Sequence, residues 1–215
     1  MNNLPVNAIY KGPQVDLALF CHSSAVSTRD ASTLQSNIER ISITAMFGTP
    51  ASKGGSDGCL IICEVIPLAA ALPDKCIALL DRCFDKWEKG VKTIFVIRGT
   101  GVSRLAAVYG EGVLISDYAS NDRLGLESWL QPPQQLWRLL CLKAARVDFV
   151  SPDLFDKVMD LAARTQMAER EAETLRKSNP PKQTHKNLEF FEKKMQAEQN
   201  YEKLRKELSS YQVPQ

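Results

Sequence analysis

The chain has 215 residues, of which 44% are hydrophobic and 24% charged, and its formal net charge is +2. This composition excludes a wholly disordered chain, because it supplies enough apolar side chains for a core. The small net charge excludes nucleic-acid binding through overall charge, so such binding would need a local basic patch. The length allows one domain with an extension or two small domains.

The N-terminal residues 1–14 predict a flexible arm. No basic segment followed by an apolar core occurs in Met1–Tyr10, so we expect no secretory signal. The longest weakly polar stretch is interrupted by Glu64 and Pro67 and does not reach the length of a membrane span. Six cysteines occur without the spacing of a zinc site. We therefore expect buried, reduced thiols in an intracellular protein, cytoplasmic or nuclear, that is neither secreted nor inserted in a membrane.

The segment after the arm predicts a strand, a helix and a second strand. Val15–Cys21 is short and apolar and predicts the first strand, and Asp30 is a candidate N-cap for the helix. From Ile41 to Phe47 apolar residues alternate with more polar ones, which predicts a strand. A loop rich in Gly, Ser and Pro leads to the next strand, so we expect a long-looped hairpin.

A strand–helix–strand unit, Asp57–Arg98, is the centre of the predicted fold. Cys59–Pro67 is almost continuously apolar and predicts a strand buried on both faces. In Asp74–Lys89 apolar residues recur at three- and four-residue steps, which predicts an amphipathic helix with Trp87 on its core face. Thr93–Ile97 predicts another strand, and we expect the two strands to form a parallel pair with a right-handed crossover.

The rest of the core predicts a hairpin and a helix. Ser103–Tyr109 and Gly112–Ser116 are strand-like and separated by a short turn, whereas Asp117–Gly125 is an irregular loop. A helix is expected to start near Gln131. Together these elements predict an α/β or α+β domain over residues 15–150, with a mixed sheet around the central strand–helix–strand unit.

Residues 151–215 predict a helical tail of two helices, broken at Pro180-Pro181. Ser151 is a plausible N-cap of the first helix, because a proline follows it at the first helical position. The apolar positions of this helix follow heptad spacing over about three repeats. They are Leu154, Val158, Leu161, Thr165, Ala168, Ala172 and Leu175.

The second tail helix also has an apolar side, formed by Leu188, Phe191, Met195, Tyr201, Leu204 and Leu208. Its register slips after Met195, which disfavours one regular parallel coiled coil and leaves an antiparallel hairpin as the alternative. We expect residues 154–211 to mediate homo-oligomerisation or docking to a protein partner. A core truncated after Val150 should then fold by itself.

One resemblance gives these elements a chemical interpretation. Val15-Asp16-Leu17, Ile62-Cys63-Glu64-Val65 and a helix ending in Lys89-Gly90-Val91 before the strand Thr93–Ile97 form a pattern that resembles the PD-(D/E)XK nuclease-like superfamily, most closely its Uma2-type members. The resemblance implies a divalent-metal-dependent nuclease, a hydrolase that cleaves nucleic acid with Mg²⁺ or Mn²⁺ as cofactor. It is an analogy of pattern and covers about Val15–Ser116.

The resemblance implies site residues position by position. Glu64 matches the strand glutamate, and either Asp16 or Asp57 matches the aspartate, so these carboxylates would hold the metal. The lysine of the family pattern is replaced by Ile66, and Lys75 on the following helix is the alternative. Carboxylate oxygens are ligands that Mg²⁺ prefers, and a lysine would stabilise charge that develops on the phosphate.

A second interpretation stays open for Glu64 and for the whole protein. An acidic residue near the end of a strand can pair with an arginine such as Arg98 instead of a metal. The missing lysine, the near-neutral charge and the heptad-like tail favour a non-catalytic interaction or assembly protein. The two hypotheses differ in whether Glu64 and an aspartate come together in space.

Overall fold

The structure, a computed structural model, describes residues 14–23, 26–48, 58–120, 132–148, 150–181 and 184–211. Within these residues seven strands form one mixed sheet: β1 (Gln14–Val15), β2 (Ile38–Gly48), β3 (Cys59–Pro67), β4 (Lys92–Arg98), β5 (Val102–Tyr109), β6 (Gly112–Ile115) and β7 (Ala119–Ser120). The strand order is β1-β2-β3-β4-β5-β6, and β7 pairs with the start of β5. β3 and β4 are parallel, and the other pairs are antiparallel.

The helices of the described residues are α1 (Leu17–Ser23), α2 (Thr28–Asn37), α3 (Asp74–Trp87), α4 (Pro133–Ala145), α5 (Phe155–Lys177) and α6 (Thr184–Ser209). α1, α2 and α3 cover one face of the sheet, and α4 and α5 cover the other. The predicted α/β class with a mixed sheet and a helical C-terminal region is therefore confirmed.

The central unit agrees with its prediction. β3 and β4 are adjacent and parallel, with Glu64 beside Val96, and α3 connects them. Gly90 ends the connection with a positive φ of 78°, a conformation that glycine adopts without steric penalty. Its N–H donates to Asp85 Oδ1 at 3.1 Å. Trp87 is the exception, because it lies in the last turn of α3 and its side chain is 50% exposed instead of buried in the core.

β3 is buried on both faces, as its continuous apolar sequence predicts. Leu60 and Ile62 pack against α4 and α5, whereas Ile61 and Cys63 pack against α3. Successive side chains of a strand point to opposite faces, so one strand contributes to both cores. This position makes β3 the middle of a helix–sheet–helix arrangement.

The N-terminal part differs from its prediction. The predicted strand Val15–Cys21 ends at Val15, and a helix follows because Asp16 caps it. Asp16 Oδ1 accepts hydrogen bonds from the N–H groups of Ala18 and Leu19, at 3.0 and 3.1 Å. The next helix, α2, is capped by Ser27 instead of Asp30. Ser27 Oγ accepts from the Asp30 N–H at 3.2 Å, so Asp30 occupies the third position of that cap.

The core continues beyond Val150 into α5. The residues Ser151–Leu154 form a turn, in which the Leu154 N–H donates to the Ser151 carbonyl at 2.9 Å, and the helix begins only at Phe155. The first half of α5 joins the same hydrophobic cluster as β3 and α4, through Phe155, Val158, Met159, Ala162 and Ala163. The separate tail that the sequence predicts therefore begins inside the packed core.

α6 folds back on α5 as an antiparallel hairpin. Arg176 Nε in the last turn of α5 contacts Glu198 Oε1 near the middle of α6 at 3.0 Å. Lys157 Nζ near the start of α5 lies 5.0 Å from the ring centroid of Tyr211, just after α6. Leu204 packs on the outer side of α5. This arrangement agrees with the hairpin alternative of the sequence analysis.

All six cysteines are buried and none of them is in a disulfide, as their sequence context predicts. They lie in α1, β3, α3 and α4, and burial raises the pKa of the thiols of Cys21, Cys59, Cys63, Cys76 and Cys141. Within the described parts of the chain, no helix is long and apolar enough to cross a membrane.

Candidate functional site

Glu64 lies in the second half of β3, on the same side of the sheet as Leu60 and Ile62. Arg98, at the end of the parallel strand β4, donates a hydrogen bond from Nε to Glu64 Oε2 at 2.6 Å. Arg98 Nη1 also donates to Ser103 Oγ at 3.1 Å. Glu64 is therefore paired with an arginine, which is the second interpretation that the sequence left open.

The pairing of Glu64 with Arg98 limits what this carboxylate can bind. The contact is a charge-assisted hydrogen bond, and the two side chains are only 21% and 32% exposed, so water screens it partly. A divalent cation at Glu64 would have to displace the guanidinium or lie beside its positive charge. The geometry favours a structural ion pair over a metal ligand at this position.

The other predicted site residues are used elsewhere. The carboxylate of Asp16 caps α1, and Lys75 Nζ contacts Asp30 Oδ1 at 2.8 Å. The hydrogen bond from Lys75, with a second one from Ser27, lowers the pKa of Asp30. These contacts are made at helix starts and satisfy groups of α1, α2 and α3. They do not place an aspartate or a lysine beside the Glu64 carboxylate.

Asp57, the remaining candidate, lies outside the described residues. Among the residues that the structure describes, no three side chains of His, Cys, Asp or Glu come together as a group that could hold a metal ion. Those residues do not fit a Mg²⁺ or Mn²⁺ site, which takes several oxygen ligands. Metal-dependent cleavage, for which Asp57 would have to supply a ligand, stays a prediction.

A cleft of about 880 Å³ opens at the opposite end of the parallel strands. It lies between the starts of β3 and β4, the end of β5 and the first turn of α4. Its side walls carry Lys92, Tyr109, Trp137, Arg138 and Asp156. These side chains come from four elements far apart in the chain, so no local sequence motif predicts them as a group.

The polar side chains of this cleft are paired with one another. Lys92 Nζ lies 4.7 Å from the ring centroid of Trp137, and Trp137 stacks on Tyr109 at a centroid distance of 6.0 Å. The Tyr109 hydroxyl donates to Asp156 Oδ1. Burial and this hydrogen bond raise the pKa of Tyr109, so its hydroxyl stays protonated near neutral pH. The cleft joins β5, α4 and α5 structurally and has no free acid–base pair among its described residues.

The first half of α6 exposes three large apolar side chains that the rest of the described residues do not cover. Leu188, Phe191 and Met195 are 65%, 53% and 54% exposed. They are spaced by three and four residues and therefore lie on one side of the helix. We call this surface the α6 stripe.

The α6 stripe faces away from the hairpin contact. Leu204, which is buried against α5, follows Leu188 by sixteen residues, which places it about 160° around the helix at 3.6 residues per turn. The register slip that the sequence shows after Met195 thus separates two apolar surfaces of one helix. One of them is covered by α5, and the other is exposed.

Comparison with known proteins gives no relative from which a role can be transferred. No family model matches the chain, and no curated protein or solved structure is significantly similar to it.

Proposed function

We propose that the protein is a non-catalytic assembly module that self-associates through the α6 stripe. The observation that carries this proposal is the exposure of Leu188, Phe191 and Met195 in the first half of a helix whose second half packs against α5. A contiguous exposed apolar surface on a folded protein is typical of a protein-interaction site.

The stripe is suited to a second copy of itself. Leu188 and Met195 lie seven residues apart with Phe191 between them. A two-fold axis near Phe191 would bring Leu188 of each copy opposite Met195 of the other, with the helices antiparallel. Such an isologous contact uses the same surface on both subunits and closes after two copies.

The size of the stripe limits the strength of this contact. The dimer contact would contain six side chains, three from each copy, and each is about half exposed in the monomer. Full burial of such residues contributes roughly 1.5 to 3 kcal/mol, so burial of the exposed part of each would contribute about 1 to 1.5 kcal/mol. Association itself costs at least about 4 kcal/mol. The balance is at most about 2 to 5 kcal/mol, which corresponds to a Kd between about 0.2 mM and a few tens of mM. The association is therefore weak by itself and responds to local protein concentration.

The test is sedimentation velocity of the full chain over a wide concentration range. We expect a reversible monomer–dimer equilibrium that Phe191→Asp abolishes, because a carboxylate at the centre of the stripe would be buried without a partner. Lys193→Asp is the matched control, since Lys193 is exposed on the other side of α6 and should leave the equilibrium unchanged. A wild-type chain that stays monomeric at every concentration would refute self-association and leave docking to a different protein.

We propose an intracellular location for this module. Support comes from six buried thiols that form no disulfide, because proteins of oxidising compartments commonly use their cysteines in disulfides. Mass spectrometry of the protein isolated under non-reducing conditions tests this, and a native intramolecular disulfide would contradict it.

A further inference from the structure

The cleft between the starts of β3 and β4 and the first turn of α4 carries two cations on one aromatic cluster. Lys92 Nζ lies 4.7 Å from the ring centroid of Trp137, and the central guanidinium carbon of Arg138 lies 5.1 Å from that of Phe155. The two ring centroids are 6.1 Å apart. Lys92 belongs to β4 and Arg138 to α4, so two separate elements bring positive charge to the same cleft.

Both cations keep hydrogen-bond donors for another partner. Among the residues that the structure describes, neither Lys92 nor Arg138 forms an ion pair with a carboxylate. Asp156, the acidic side chain on the wall of the cleft, instead accepts from the Tyr109 hydroxyl through Oδ1. A ring face attracts a cation electrostatically but leaves most of its N–H groups able to donate elsewhere. Arginines that join other elements of the described chain do pair with carboxylates: Arg98, Arg146, Arg170 and Arg176.

Two further features of the cleft bear on its charge. Asp81 on α3 interacts with the charge of Lys92, without an ion pair between them. The first turn of α4 also lines the cleft through Pro133 and Gln134, and this helix has no side-chain N-cap. The N–H groups at the start of a helix favour negative charge, so they add to the effect of the two cations. This arrangement suits an anion placed between Lys92 and Arg138.

The rest of the cleft wall is largely apolar. Leu60, Val108, Pro132, Pro133 and Trp137 line it. Small-molecule sites are typically clefts of roughly 300 to 1,000 Å³ with apolar walls and a few polar groups that fix the orientation of the ligand. The volume of this cleft, about 880 Å³, lies in that range, so the cleft can hold more than a bare inorganic anion.

We propose that the cleft binds a small phosphomonoester that carries an apolar or aromatic group. The phosphoryl oxygens accept hydrogen bonds from Lys92 and Arg138, and the attached group packs against Trp137, Pro132 and Pro133. A phosphoryl group suits this site better than a carboxylate, because its oxygens point in several directions and two elements can bind them at once. The ligand is bound and not cleaved, since the described wall offers no free acid–base pair. The proposal does not rely on the α6 stripe.

The test is a titration of the full chain followed by NMR, with phenyl phosphate, inorganic phosphate and phenol as probes. We expect phenyl phosphate to give saturable shifts of the backbone amides near Lys92 and Arg138 and of the Trp137 indole N–H. Inorganic phosphate should bind several-fold more weakly because it lacks the apolar group, and phenol should not saturate because it lacks the charged phosphoryl group. This order of affinities separates the proposed site from a site for any anion.

Two variants each remove one of the cations. Lys92→Gln and Arg138→Gln should each weaken the binding of phenyl phosphate by about tenfold or more, because each removes a charge-assisted hydrogen bond. Lys193→Gln is the matched control, since it makes the same change of charge at an exposed position of α6 outside the cleft and should leave the affinity unchanged. All three variants should keep the cooperative urea transition of the wild-type chain, which excludes unfolding as the cause of a loss of binding.

The absence of a saturable shift with phenyl phosphate would overturn the proposal. Equal affinities for phenyl phosphate and inorganic phosphate would also overturn it, because the apolar wall would then take no part in binding. An equal loss of affinity in Lys193→Gln and in the two cleft variants would show that the charge of the whole chain, and not the cleft, attracts the anion. Saturable binding in the expected order, weakened by Lys92→Gln and Arg138→Gln alone, would establish the site.

Discussion

α5 and α6 look alike in the sequence, but the structure uses them in different ways. Both are long, charged helices with apolar residues at three- and four-residue steps. α5 buries ten of its 23 residues. In α6 only Ala197 and Leu204 are buried among the described residues, and three large apolar side chains are exposed. The comparison teaches that helical periodicity identifies an apolar side of a helix but does not identify what covers it.

The difference follows from side-chain size at the contact. Ala162 and Ala163 let α5 approach the sheet closely, and the facing residue of β6 is Gly112. A Cβ on Gly112 would lie 2.6 Å from the Ala163 Cβ, so any larger residue there would push the helix away. The first half of α6 carries mostly long polar and large apolar side chains instead, which suit a surface in contact with water or another protein.

Truncation of the chain has the largest expected effect among the tests of this comparison. A chain that ends after Val150 loses the core residues Phe155, Val158 and Met159, and burial of each contributes roughly 1.5 to 3 kcal/mol. Their sum approaches the total stability of a typical domain, about 5 to 15 kcal/mol. We expect this chain to lack a cooperative urea transition by near-UV circular dichroism. A chain that ends after Pro181 should keep one.

The chain that ends after Val150 also tests the domain boundary that the sequence predicts there. If the chain that ends after Val150 unfolded cooperatively with the stability of the longer one, α5 would be a separable tail, as the sequence suggests. The packing of α5 against β6, β5 and α4 would then contribute little to the stability of the core.

Gln166→Leu is the second test, with an expected loss of about 2 to 4 kcal/mol. Gln166 is 4% exposed, accepts from the Ile115 N–H and donates from Nε2 to the Ala144 carbonyl at 2.9 Å. Leucine fills similar space but leaves both backbone groups without this partner, and each buried unsatisfied group costs about 1 to 3 kcal/mol. Gln196→Leu on exposed α6 is the matched control and should change stability by less than about 0.5 kcal/mol. Equal losses of stability for Gln166→Leu and Gln196→Leu in urea denaturation would contradict the proposed difference in burial between α5 and α6.

The pH dependence of folding stability tests the burial of Asp81 on α3. Burial on α3, together with the nearby charge of Asp85, raises the pKa of Asp81 from 3.8 to about 6. Between these two pH values the folded state holds a proton that the unfolded state has already released. The contribution of Asp81 to stability is therefore greatest below about pH 4 and is lost as the pH rises through about 6. The loss amounts to at most about 3 kcal/mol.

The variant Asp81→Asn should remove this pH dependence and raise the stability at pH 7. Asp160→Asn is the control, because Asp160 is exposed on α5 and forms a long ion pair with Arg164, at 3.7 Å. Urea denaturation at pH 4 and pH 7 checks both variants. A stability difference between Asp81→Asn and the wild-type chain that does not increase from pH 4 to pH 7 would contradict the predicted sign for Asp81.

Leu204→Ala should loosen the hairpin without destabilising the core. Leu204 is 7% exposed and packs with Leu161 and Ala168 of α5. Large-to-small substitutions of this kind cost about 2 kcal/mol or more when the whole domain depends on the residue. Here we expect faster amide exchange in α6 and a global unfolding midpoint that changes little. A loss of the full amount in global unfolding would show that α6 is as much part of the core as α5.

The elements that could be predicted from the sequence are those that neighbouring residues determine. The apolar run of β3 and the amphipathic pattern of α3 each depend on one continuous segment, and both were correct. Asp16 shows the limit, because one capping side chain converted the predicted strand into a helix start. The contact of Gln166 with the edge strand could not be predicted, since it joins residues 51 positions apart.

The candidate site shows the same limit. The sequence named both Glu64 and Arg98, but it could not choose between a metal and an ion pair because these residues are 34 positions apart. The cleft around Tyr109 and Trp137 was missed, because its residues come from separate strands and helices. Only Trp137 carried a signal, as an aromatic residue in a predicted helix.

Glu64→Gln should have the smallest effect, and it tests the metal hypothesis. The substitution replaces a charge-assisted hydrogen bond by a neutral one at a partly exposed site, so we expect a loss of about 1 kcal/mol or less. Arg98 already neutralises Glu64, so Mg²⁺ or Mn²⁺ should leave the thermal midpoint of the wild-type chain unchanged. A ligand that bound the native state would raise it. A saturable rise that disappears in Glu64→Gln and in Asp57→Asn, but not in Asp160→Asn, would establish a metal site and favour the nuclease interpretation over the assembly module.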